Sequence, residues 1–203
     1  MRRPNEPPPD LEGPQADPEQ VARTILLRRL EAAPRTRAEL AGTLRERGVC
    51  DEVAGRVLDR FEEVGLIDDR LFARMWVDSR HAGRGLSVRA LRAELRRKGI
   101  AEEVASEAVE RVSRDDELSA ARTIARRKVA SVRGLPRATQ LRRLTGALAR
   151  KGYGPAVSAQ VVREVLDRAA DEGAGHDDLG HDDLGHDAAN DFDGEESRVQ
   201  EQL

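Results

Sequence analysis

The apolar residues of this chain recur at helical spacing, and the spacing itself repeats. Aligned on Gly48, Gly99 and Gly152, one leucine stands eight residues before each glycine (Leu40, Leu91, Leu144) and another four before it (Leu44, Leu95, Leu148). Val53, Val104 and Val157 follow at five residues, Leu58, Val109 and Val162 at ten, and Phe61, Val112 and Val165 at thirteen. Positions four apart share a face of an α-helix, so the matching leucines and valines read as core. The register extends upstream through Ala22-Arg23, Ala73-Arg74 and Ala121-Arg122, with Ile25, Trp76 and Ile124 three residues after the alanines. Asp17, Asp68 and Asp116 stand five residues before them. A short carboxylate ahead of an apolar run reads as an N-cap that accepts from free backbone N–H groups.

Each repeat therefore reads as three helices: 18–32, 37–47 and 52–64; then 69–81, 88–98 and 102–113; then 117–131, 137–151 and 155–169. Thr36 and Glu39 have the spacing of a capping box. Pro18 and Pro155 open helices, and Pro136 lies just ahead of one. Arg47, Lys98 and Lys151 each precede a helix-ending glycine, where a cation meets the negative end of the helix. The expected fold is all-α: three tandem degenerate three-helix repeats (17–66, 67–114 and 115–170) forming an elongated curved body with a long partner surface.

Composition supports helix. Aromatic residues are 2% and charged residues 36% of 203, which leaves little β-branched and aromatic material for a sandwich or barrel. The bias to arginine, with Lys98, Lys128 and Lys151 the only lysines, points to a GC-rich genome and not to a function. The ends differ from the middle. Residues 1–16 hold five prolines, and 171–203 repeat Gly-His-Asp-Asp-Leu, so both are expected to be disordered. Cys50 is alone, which excludes an internal disulfide. With no signal peptide and no long apolar run, the cytoplasm is the expected compartment.

The net charge of −3 conceals an asymmetry. Val21 to Arg168 carries 32 basic and 21 acidic residues, a net +11, whereas Ala169 to Leu203 carries one basic and 12 acidic residues, a net −11. A basic body fits an acidic partner, nucleic acid or nucleoprotein first. From Leu118 to Arg163 there are 11 basic residues and no acid, a departure from a mixed-sign solvated face. The candidate contact residues are Arg74, Arg80, Arg84, Arg89, Arg92, Arg96, Arg97 and Lys98, then Arg122, Arg126, Arg127, Lys128, Arg142, Arg143, Arg150 and Lys151. Arg80 to Gly85 reads as a flexible basic break between helices, and Trp76 as a core residue.

No catalytic constellation is present. Three of four histidines lie in the acidic tail, His81 stands alone at a helix end, and metal-binding, phosphate-cradling and nucleophile motifs are absent. The expectation is a non-enzyme without cofactor or metal. The tail reads as a solvated acidic segment, with two further readings: weak metal binding, and an internal competitor for the basic body.

Gly65-Leu66-Ile67-Asp68-Asp69, Phe72-Ala73-Arg74, Trp76-Val77 and Ser79-Arg80 resemble the central signature of the RecX regulatory proteins. Gly85-Leu86, Leu91, Glu94-Leu95, Lys98-Gly99-Ile100 and the Lys151-Gly152-Tyr153 turn are similar as well. The resemblance covers about residues 17–168; the proline-rich start and His/Asp tail have no counterpart in it. It implies tandem three-helix repeats that bind the RecA recombinase, typically as its filament on single-stranded DNA. It further implies that the protein restrains RecA's ATP hydrolysis, strand exchange and co-protease activity, modulating recombination, DNA repair and the SOS response. A monomer without membrane contact is expected.

Two other readings stay open. A stand-alone helix-turn-helix-like DNA-binding protein is one, although acidic third helices such as Glu102–Val112 suit base reading poorly. A structural adaptor is the other. Salt separates the first two classes, because binding to DNA alone falls steeply through counterion release.

Overall fold

The computed structural model describes residues 17–174. In chain order the helices are α1 (Pro18–Ala32), α2 (Arg37–Glu46), α3 (Asp51–Glu63), α4 (Asp69–Arg84), α5 (Val88–Arg97), α6 (Glu102–Val109), α7 (Arg114–Val129), α8 (Arg137–Arg150) and α9 (Pro155–Ala174). A 3-10 turn at Ala130–Val132 follows α7, and there is no strand among the described residues. The anticipated disorder of 1–16 and 175–203 lies outside them; residues 171–174 continue α9.

Each run of three helices closes around its own core. Leu26, Leu40, Leu44, Leu58 and Phe61 centre the first. Phe72, Val77, Leu91, Leu95 and Val109 centre the second, and Leu144, Leu148, Val161, Val162 and Val165 the third. The leucine pairs that set the register are at most 1% exposed, so the repeated spacing is a repeated core. Gly48, Gly99 and Gly152 all adopt positive φ, between 76° and 90°, a conformation that costs a side-chain-bearing residue about 1–2 kcal/mol.

Two local expectations are corrected. The third repeat's first helix is capped by Ser113, whose hydroxyl accepts from Asp116 N, and begins at Arg114. Asp116 is the acid of that capping box, not the cap, because Ser113 with an acid three residues on satisfies two backbone donors at once. Arg80 to Arg84 is helical, not a flexible break. His81 Nδ1 lies 2.9 Å from Leu86 O, and the chain leaves the helix only at Gly85, φ 60°.

The repeats are joined by the same device twice. At the first joint the orphan carbonyl at the C-terminus of α5 meets the N-terminus of α2. Thr36 Oγ1 donates to Lys98 O at 2.7 Å while accepting from Glu39 N, and Arg37 N donates to Asp69 Oδ1 at 2.9 Å. At the second joint Ser87 N donates to Lys151 O at 3.0 Å, and Val88 N donates to Glu117 Oε1 at 3.0 Å. Helix ends carry unpaired groups of opposite polarity, so an N-terminus laid on the next repeat's C-terminus satisfies both. Thr36 and Ser87 are buried in consequence.

Candidate macromolecule-binding surface

The sixteen candidate cations divide by what surrounds them. In the first joint Lys98 and Arg80 are occupied internally. Lys98 Nζ bonds Glu39 Oε1 at 2.7 Å and lies 4.3 Å from the Trp76 ring centroid; Arg80 Cζ lies 4.2 Å from the same centroid. The indole N–H donates to Glu94 Oε2 at 2.8 Å, and Phe72 stacks on the ring. Trp76 is thus half-buried against the second core, as a core residue with a polar tip. The helix register places Trp76 and Arg80 four apart on α4, so one turn of helix and one incoming lysine assemble the cluster.

Elsewhere in the second repeat Arg92 and Arg96 both face Glu102, at 3.7 and 3.9 Å. Arg74 sits between α4 and α6 with Arg70, Arg111 and Glu107, and it is Arg70 that pairs with the glutamate. Arg97 is exposed without a carboxylate within 4 Å among the described residues.

The third repeat is different. Arg122 bonds Glu164 Oε2 at 2.9 Å, which holds that carboxyl below its usual range. Arg126, Arg127, Lys128, Arg142, Arg143, Arg150 and Lys151 have no carboxylate within 4 Å among the described residues. Residues 115–170 contain 12 basic and 5 acidic side chains, against 9 and 10 in 17–66, so pairing fails for want of partners. An unpaired exposed cation gives up only water to bind an external anion, whereas a paired one must first break a contact worth up to about 1 kcal/mol.

The tertiary structure gathers Arg84, Arg127, Lys128 and Lys151 on one groove between the second and third repeats. Its volume is about 530 Å³, and Ala120 and Ile124 supply an apolar wall. Arg89 is occupied across the same joint, donating through Nε to Gly152 O at 3.1 Å. Asp116 also lines the groove; bonds from Ser113 keep its carboxyl below the usual range, and His81 adds to that. Arg122 and Arg126 lie apart from it, between α7 and α9. Arg142, Arg143 and Arg150 are exposed on α8.

Sequence reasoning missed the joint residues Glu39, Asp69 and Glu117. The signal was present, since Asp69 and Glu117 occupy the same register position, but an acid in a first helical turn is ordinary and its partner lies some 30 residues away. Burial holds the Asp69 carboxyl above its usual range despite the bond from Arg37.

Comparison with known proteins places this arrangement. Models of the first, second and third three-helix domains of RecX match residues 22–61, 68–109 and 115–162 in order. The chain belongs to the RecX family. It is 51% identical to Regulatory protein RecX of Thermobifida fusca over 158 residues, covering 76% of this chain and 85% of that protein. It is 48% identical to Regulatory protein RecX of Streptomyces lividans over 159 residues, 78% and 85% of the two chains. The crystal structure of RecX from Lactobacillus salivarius superposes with a TM-score of 0.69 at 18% identity, over 74% of this chain and 98% of that one, and shows the shared fold. No helix among the described residues is long and apolar enough to cross a membrane.

Proposed function

We propose that this RecX-family protein binds the RecA recombinase, as its filament on single-stranded DNA, and inhibits its ATPase, strand-exchange and co-protease activities. Modulation of recombination, DNA repair and the SOS response follows. The reading is carried by family membership across all three repeats. The unpaired cations of the third repeat support it, because a nucleoprotein filament presents phosphates and acidic side chains together. The protein acts by occupancy and not by catalysis, as a cytoplasmic monomer without a cofactor.

The test is ATP hydrolysis by the same organism's RecA on single-stranded DNA, with this protein titrated below RecA's concentration. Inhibition at substoichiometric ratios is expected, since a filament ligand affects many protomers at once. Unchanged hydrolysis alongside tight binding to naked DNA would replace the reading with that of a DNA-binding protein.

A further inference from the structure

The two joints are built from equivalent positions, and their contents differ in one consistent way. In the first joint an indole ring sits beside two cations, and two carboxylates answer the charges. Carried one repeat along, Trp76 becomes Ile124 and Phe72 becomes Ala120. Glu94 becomes Ala147 and Glu39 becomes Ala90. The rings and the carboxylates are gone together. The cations are kept: Arg80 becomes Lys128 and Lys98 becomes Lys151. One is added where Ser79 becomes Arg127. The vacated space is the groove of about 530 Å³, within the usual range for small-ligand sites.

We propose that this groove is a nucleotide socket, taking the base of a single-stranded nucleic acid or a free nucleotide against Ile124 and Ala120, beside Lys128 and Lys151. The adjoining phosphate pairs with Arg127. The first joint shows what such a space holds when filled from within: a flat aromatic ring next to two cations. A ligand replacing that ring is expected to bring its own negative charge, because among the described residues Asp116 is the one carboxylate on the groove lining and is already held by Ser113. Ile124 and Arg127 are three apart on α7, so ring site and charge site are neighbours about 5–6 Å apart at their Cβ atoms. A nucleotide carries ring and charge on one unit, whereas a peptide needs two suitably placed residues. Sequence-tolerant single-strand binding ordinarily combines a basic track for the backbone with aromatic side chains for the bases; here the base would instead rest on the aliphatic wall of Ile124 and Ala120.

The deciding comparison is binding of the full-length protein to a labelled oligothymidylate and to an abasic strand of equal length and charge, followed by fluorescence anisotropy. A base-binding socket predicts several-fold weaker binding of the abasic strand. Ala120→Glu sets a carboxylate on the groove wall and abolishes that discrimination; Lys151→Gln, a milder change on the groove lining, reduces it. Arg142→Ala with Arg143→Ala, remote on α8, weakens both strands alike. Displacement by free thymidine monophosphate would show that a single nucleotide suffices, and its failure beside retained base dependence would assign the strand. Equal affinity of the wild-type protein for both strands overturns the proposal without any variant, as does displacement by an aromatic-acidic peptide instead of by nucleotides. The outcome does not depend on RecA, so it fails or succeeds separately from the ATPase test.

Discussion

Tyr153 shows how a single side chain reports on the assembly. Its hydroxyl donates to Gly85 O at 2.9 Å across the second joint, and burial pushes its pKa up to about 12. The neutral phenol is the form the folded state favours. Its contribution to stability is therefore complete below the unfolded value near 10 and is lost as pH rises from there towards 12. Because the chain has one tyrosine, absorbance of the tyrosinate ion isolates it. The expected titration midpoint is about 12 in the folded protein and about 10 in denaturant. A folded midpoint near 10 would mean that the joint does not enclose the ring. Tyr153 stood in the sequence only as the residue after a glycine turn; its partner lies 68 residues away, beyond any local pattern.

At the scale of elements, the three helix-ending glycines look alike in sequence and differ in space. All three need positive φ. A Cβ at Gly48 meets nothing within 4 Å; at Gly99 it would overlap the Ala38 methyl; at Gly152 it would come within 2.6 Å of Ala90 Cβ and Ser87 Oγ. Gly48→Ala should cost about 1–2 kcal/mol from backbone strain alone. Gly99→Ala and Gly152→Ala should cost more, because a joint must also open. Urea denaturation measures all three, and equal losses would refute the joint geometry. Ala38→Gly should recover part of the Gly99→Ala loss by removing the colliding methyl, a coupling that a double-mutant cycle reads directly. Among the described residues nothing packs against the first repeat's glycine. Its register also carries Pro18 where Asp69 and Glu117 stand, so the joint's acid is missing there. At the other end α8 starts with Pro136 as its N-cap, without a capping side chain. Among the described residues, joint chemistry thus occurs between one repeat and the next.

For the whole molecule the governing quantity is charge distribution. Val21 to Arg168 carries a net +11 and Ala169 to Leu203 a net −11, so the acidic tail is expected to compete with an acidic partner for the basic body, more strongly at low ionic strength. Removing residues 175–203 should tighten binding to single-stranded DNA several-fold at low salt, with the gain shrinking as salt screens the competition. Titrating labelled DNA against both proteins at two salt concentrations checks this; unchanged affinity at low salt would show that the tail does not compete.

Local physics made much of this protein legible. The helix count and the three cores follow from spacing, because a core position must recur every three to four residues wherever a helix packs; most caps follow from the residue types at the helix starts, and the family resemblance rests on the particular residues of the central motifs. The misplaced start of α7 and the supposed break after Arg80 have local causes too: a serine cap three residues upstream of the expected aspartate, and a helix that tolerates Gly83 and stops at Gly85. Charge balance likewise needs only the sequence. What the sequence left undetermined is which cations are spent within the fold. Lys98 and Lys151 share a motif, yet one is bound to Glu39 beside an indole and the other opens onto a groove. That difference is set partly by the ring or aliphatic residue on the same repeat's first helix and partly by Glu39 from the preceding repeat, and only tertiary packing brings them within reach.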